Sequence, residues 1–165
     1  MGSEMCIRDR NSKSRSINLL LSEDVINTMK CLRKLGVKVK IFKNFCEING
    51  VGLNGFKYKK NITLNAGNSG TLGRLIMGLL THSKSLVKLK GDKSLSKRDF
   101  LRIIKPLKKF GADFKSNFGR LPITIKGTNN PKPIIYKEIK GSAQVKSSVM
   151  LAALNTRGET IIKAK

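Results

Sequence analysis

Apolar residues recur along this chain at two periods. Over residues 24–40, "DVINTMKCLRKLGVKVK", Val25, Ile26, Met29, Leu32 and Leu35 return every three or four positions, which places them on one face of a helix. Ser22 stands where a side chain caps such a helix, and Gly36 stands where a residue free to adopt positive φ ends it. Past the glycine the period drops to two in "VKVKIF" and "CEINGVG", and alternation of that kind predicts half-buried strands.

The pattern then returns. "DFLRIIKPLKKFGADFK", from Asp99, repeats the acidic start, the lysine-rich face and the closing Gly111, with Phe100, Ile103, Ile104, Leu107 and Phe110 as its apolar face. Pro106 falls inside this second copy, where an interior proline costs about 3 kcal/mol, so the element is expected either to kink or to begin its regular part near Lys105. "ADFKSN" and "PITIKGTN" repeat the two strands, and "QVKSSVMLAAL" from Gln144 repeats "GTLGRLIMGLL" from Gly70, both short, apolar and rich in small residues. Such an internal repeat predicts two units, each running strand, helix, two strands, another strand and a second helix. "GETIIKAK" at residues 158–165 reads as the opening strand of a third unit, and a chain that stops there is expected to be a fragment. The first ten residues, "MGSEMCIRDR", share no period with the rest and are set aside as a non-native leader.

Candidate chemistry sits at the junctions between strands and helices. "LNAGNSGTLGR", residues 64–74, puts small residues and Asn68 ahead of a helix start, where free amides and the helix dipole favour an anion. It matches neither a Walker loop nor GxGxxG, so a structural turn and a phosphate cradle both stand at this point. "GSAQVKSS", residues 141–148, occupies the matching junction of the second unit; Ser142 is either a plain cap or, with Gln144, a ligand contact. "GDKSLSKRDF", residues 91–100, brings Lys93, Lys97 and Arg98 to a helix start, as solvated charges or as a clamp for a carboxylate or phosphate. His82 has no arrangement of Cys, Asp or Ser around it in sequence, and neither a metal site nor a nucleophile triad is visible.

Charge changes this picture less than its size implies. The 34 Lys and Arg against 10 acidic residues give a net charge of +24, which first points to nucleic acid or an anionic surface. The lysines are nevertheless spread over the polar side of every period, and the chain has no Trp and only 5% aromatic residues, so it lacks the stacking platform of a single-strand binder. Three cysteines, Cys6, Cys31 and Cys46, form neither a CxxC pair nor a zinc spacing, and an odd count fits a reducing, cytoplasmic setting. No apolar run approaches the ~18 residues needed to cross a bilayer.

Taken in order, "GNSGTLGR", "GDKSLSKRDF" and "GSAQVKSS" resemble three motifs of the 5-enolpyruvylshikimate-3-phosphate synthases: a GN[AS]GT…R loop, a GDxSLxxRPM segment and an SSQ or SAQ helix start. The resemblance extends from about Asn11 to Lys165 and includes "EDVINTMKCLRKLG" and "GRLPITIKG". The family has another motif, PGDKS[IL]SHR, whose lysine contacts both substrates, but it precedes the GN[AS]GT loop, whereas "GDKSLSKR" follows it here. Order therefore matches Arg98 to the arginine that binds phosphoenolpyruvate and leaves Lys93 without the catalytic match. Asp99 replaces the family's usual proline.

The resemblance implies an α/β fold of repeated βαβαββ units, the inside-out barrel of the enolpyruvyl transferases. Residues 11–165 would be an incomplete N-terminal domain, with units at about 11–83 and 84–157 and a third from about 158. It implies transfer of the enolpyruvyl group of phosphoenolpyruvate to the 5-hydroxyl of shikimate 3-phosphate, on the way to chorismate and the aromatic amino acids. Gly70 would lie against phosphoenolpyruvate together with Arg98, Asn68 and Thr71 would shape the loop, Gln144 would approach both substrates, and Ser142 and Ala143 would meet shikimate 3-phosphate. The proton-transfer residues of the family lie outside this chain, so the chain alone is expected to be inactive. The expected enzyme is a cytoplasmic monomer with no cofactor, no metal, and neither nucleic acid nor membrane as partner. The rivals are the UDP-N-acetylglucosamine enolpyruvyl transferase, whose loop cysteine has no similarly placed counterpart here, and a basic nucleic-acid-binding domain, which steep salt dependence would reveal.

Overall fold

The computed structural model describes residues 13–53, 55–139 and 141–164. The leader assigned to residues 1–10 lies outside the described residues. The first strand, β1 (Lys13–Ile17), leads into α1 (Glu23–Lys34), then β2 (Lys38–Ile41), β3 (Phe45–Asn49), β4 (Ile62–Asn65) and α2 (Gly70–Leu79), which tightens into a 3₁₀ turn at Leu80–His82. The order then runs through β5 (Val87–Lys90), the single turn α3 (Lys93–Ser96), α4 (Leu101–Lys109), β6 (Asp113–Asn117), β7 (Arg120–Lys126), β8 (Ile135–Lys137) and α5 (Ala143–Ala153). A last strand, β9 (Ile161–Lys163), follows.

Local signals account for the helix limits. The Ser22 side chain accepts the Val25 N–H at 3.4 Å, acidic Glu23 and Asp24 sit in the first turn of α1, and Arg33 and Lys34 sit in its last, so each charge opposes the dipole end it occupies. Gly36 follows the last turn at φ +89, and a Cβ there would meet the Lys57 carbonyl oxygen at 2.2 Å, so both conformation and close approach demand glycine. The second copy differs at its start. Helix α4 runs unbroken from Leu101 through Pro106, so its regular part begins four residues before Lys105. Asp99 Oδ1 accepts the Leu101 N–H at 2.7 Å and serves that start, where the family's proline would have no such acceptor.

Three sheets form: β1-β3-β2, all antiparallel; β4-β5-β7-β6, in which β4 and β5 are parallel; and the parallel pair β8-β9. Parallel neighbours need a crossover. Here α2 crosses from β4 to β5 and α5 crosses from β8 to β9, so both helices begin at the carboxyl end of a strand in a parallel pair. Ligands of α/β sheets gather at such ends.

Helix α2 is the centre of the molecule. Gly70 and every residue from Leu72 to Leu79 are buried, and its most extensive partner is α5. The two helices touch backbone to backbone, since a Cβ on Gly78 would lie 2.2 Å from the Ser148 carbonyl oxygen. Around them Leu64, Leu89, Leu95, Phe100, Ile103, Leu107, Phe110, Ile123 and Ile125 form a core from which water is wholly excluded. A smaller cluster of Met29, Leu32, Val37, Val39, Cys46 and Ile48 fastens α1 to its own sheet, with Phe56 packed against both clusters.

Candidate anion site at two helix starts

The loop entering α2 is held by side-chain acceptors on its own main-chain amides. Asn65 Oδ1 accepts the Gly67 N–H at 3.1 Å, Gly67 adopts φ +59, and Ser69 caps the helix by accepting the Leu72 N–H at 3.2 Å. The Gly67 carbonyl accepts the Asp92 N–H at 2.8 Å, which stitches this loop to "GDKSLSKRDF". Asp92 then caps α3 through Leu95 N–H at 2.7 Å, and Leu95 and Phe100 plug into the core. With both ends of the segment fixed, Arg98 is delivered to the mouth of α2.

Gly70 marks the point where the cations converge. A Cβ there would lie 2.7 Å from Arg74 Nη1 and 3.1 Å from Arg98 Nη1. Arg74, one turn into α2, is the single charge in that apolar helix and is only 6% exposed. Its Nη1 donates to Gln144 Oε1 at 2.9 Å, and Gln144 Nε2 donates in turn to Thr71 Oγ1 at 3.1 Å. The guanidinium also lies over the Phe100 ring, 5.2 Å from its centre. These contacts hold Arg74 without neutralising it. None of Arg74, Arg98 and Arg102 takes part in an ion pair among the described residues. Burial, followed by Arg102 and Arg98, draws the Arg74 pKa below its ordinary value against the opposing pull of Asp99, yet a guanidinium stays charged. Its Nε is buried with no hydrogen-bond partner among the described residues, a condition that typically costs roughly 1–3 kcal/mol.

The expected residues thus divide. Arg98 and Gln144 come together with the adjacent Gly70 and Thr71, although the three places stand far apart in the chain. Asn68 is exposed in the turn before α2. Ser142 and the exposed Ala143 open α5 beside Gln144 but enter neither of the bonds that join Gln144 to α2. Lys93 and Lys97 are exposed on α3 and its end. The residue missed from sequence is Arg74; the signal for it was a lone charge within "GTLGRLIMGLL", in a stretch whose every neighbour is apolar or small. Two clefts, of about 440 and 690 Å³, open around His82, Lys84 and Asn155, and none of the expected site residues lines them.

Three comparisons bear on this arrangement. Residues 10–165 match the family model described as EPSP synthase (3-phosphoshikimate 1-carboxyvinyltransferase). The chain is 46% identical over 153 residues to the 3-phosphoshikimate 1-carboxyvinyltransferase of Ruthia magnifica, covering 93% of this chain and 35% of that protein. It is 41% identical over 146 residues to the enzyme of the same name from Paracoccus denitrificans, covering 87% of this chain and 33% of that one. A solved EPSP synthase from Acinetobacter baumannii superposes with a TM-score of 0.89 at 37% identity, over 97% of this chain and 36% of the solved one. The chain therefore spans about a third of the length of the relatives it matches, and across that span it belongs to the EPSP synthase family.

Proposed function

We propose that this chain builds one wall of a site where the enolpyruvyl group of phosphoenolpyruvate moves to the 5-hydroxyl of shikimate 3-phosphate with release of phosphate. The observation that supports this reading is the convergence of Arg74 and Arg98 on Gly70, with Gln144 bridging the starts of α2 and α5. Both substrates are polyanions, and charge shifts toward the departing phosphate as the reaction proceeds. Fixed guanidinium and amide donors stabilise such charge with no reorganisation at the moment of transfer. In this reading Arg98 and the first amides of α2 receive phosphoenolpyruvate. Asn68 and Thr71 shape that loop. Gln144 lies between the substrates, and Ser142 and Ala143 receive the 3-phosphate. Arg74 supplies field from inside and holds Gln144 by its oxygen. The groups that move protons come from outside this chain.

The reading makes the working enzyme a cytoplasmic monomer that uses no cofactor and binds neither nucleic acid nor membrane. No described helix is long and apolar enough to cross a membrane. The test joins this chain to the segments of the Ruthia magnifica relative that it does not span. The hybrid is expected to release phosphate from the two substrates at about 1 to 1000 per second, while the 165-residue chain alone releases none. A folded hybrid that turns over a different acceptor, or none, overturns the reading.

A further inference from the structure

Side chains cap three of the described helices. Ser22, Ser69 and Asp92 each accept the N–H of the third residue on, at 3.4, 3.2 and 2.7 Å. Ser142 occupies the same position on α5, in extended backbone at φ −150, yet its side chain makes no such bond. Something else secures that helix start. The Ser142 N–H donates to Glu138 Oε1 at 2.6 Å, and Glu138 Oε2 lies 3.3 Å from Lys146 Nζ, one turn into α5. Glu138 is only 4% exposed, and its own N–H donates to the Lys163 carbonyl at 3.0 Å, so it is anchored to β9.

We propose that Glu138 is a positioning residue for shikimate 3-phosphate: its carboxylate holds the Ser142 backbone at the start of α5, and so aims the uncommitted Ser142 hydroxyl at the ligand. This rests on the reading above that Ser142 and Ala143 receive the 3-phosphate. A capping hydroxyl would be spent on the helix, as those of Ser22 and Ser69 are. The Val145 N–H donates instead to the Ser142 carbonyl at 3.1 Å, which leaves the hydroxyl uncommitted, and the carboxylate on the Ser142 N–H fixes where that residue stands. Lys146 pairs with the buried carboxylate and tempers its repulsion of the incoming phosphate. The device reaches the ligand only through Ser142 and leaves Arg98 and Gly70 untouched, which makes its effect specific to one substrate.

The experiment titrates the isotopically labelled 165-residue chain with shikimate 3-phosphate and, separately, with phosphoenolpyruvate, following the backbone amide resonances. Glu138→Ala is expected to weaken shikimate 3-phosphate about tenfold and phosphoenolpyruvate less than about twofold. Glu138→Gln keeps an acceptor for the Ser142 N–H and is expected to recover most of the loss. Equal weakening of both ligands would mark a merely structural role and overturn the proposal. Should Glu138→Ala fail to fold, Lys146→Met decides. It removes the cation that pairs with Glu138 one turn into α5, and is expected to weaken shikimate 3-phosphate alone. Unchanged affinity in that variant overturns the proposal. A wild-type chain that binds shikimate 3-phosphate away from Ser142, or not at all, removes the substrate placement and this inference with it. Normal binding with an indifferent Glu138→Ala removes this inference only.

Discussion

Gly78→Ala tests whether the contact between α2 and α5 is as tight as it looks. In an ordinary helix interior this change stabilises by about 0.5–1 kcal/mol, because alanine loses less backbone freedom on folding than glycine. Here the added Cβ would sit 2.2 Å from the Ser148 carbonyl oxygen and 3.0 Å from Ser148 Oγ. Backbone cannot rotate out of the way, so the helices must part or tilt, and forcing an extra carbon into a packed core costs typically 1–3 kcal/mol. The net expectation is a loss of about 1–2 kcal/mol, which for a chain of this size lowers the melting midpoint by roughly 2–8 °C. Urea and thermal denaturation followed by circular dichroism measure it. Gly73→Ala, on the same helix, is the control, because its Cβ would meet the Phe100 ring at an ordinary 3.4 Å. That variant is expected to be neutral or more stable by up to ~1 kcal/mol. Gly78→Ala as stable as the parent would refute the close approach of the helices. The same separation would lengthen the 2.9 Å bond from Arg74 to Gln144, so stability and site geometry should fail together.

Two further outcomes are expected. In the hybrid enzyme Arg98→Ala should raise the KM for phosphoenolpyruvate, or lower kcat/KM, by about 10- to 150-fold, the equivalent of one lost charge-assisted contact, while the exposed Lys97→Ala changes little. Equal small effects would refute the assignment, and loss of all turnover in Lys93→Ala would make "GDKSLSKRDF" the other lysine motif. Glu47 accepts bonds from Lys13 at 2.7 Å and Arg15 at 2.8 Å, and Lys13 first and then Arg15 hold its carboxyl below the usual glutamate range. Its stabilisation is therefore complete above the ordinary glutamate pKa and is lost as pH falls through the lowered value. Glu47→Gln should flatten the acid side of a stability-against-pH curve measured by denaturant melts, and an unchanged acid limb would sink the idea.

Much of the fold was legible in the chain because the forces that set it are local. The period of Val25 to Leu35 and its repeat from Phe100 to Phe110 follow from 3.6 residues per turn, and Ser22, Gly36 and Gly111 act on the turn they adjoin. The strands around Val39, Ile48, Phe114 and Ile123 were readable from alternation for the same reason. Pro106 was not, since only packing decides whether a helix tolerates a proline: Ile103, Ile104 and Leu107 are buried firmly enough to hold α4 through it. The site was half legible. Motif order placed Gly70, Arg98 and Gln144 as candidates, but the contact between Arg74 and Gln144, 70 residues apart, exists only because α2 and α5 cross with glycine between them. Glu138 carried no signal at all in sequence, because a carboxylate reads as a solvated charge until tertiary structure buries it against Ser142 and Lys146. Local periodicity and capping lie within a few residues of their cause. Burial of a charge, and the meeting of two helix starts, depend on neighbours that only the folded chain supplies.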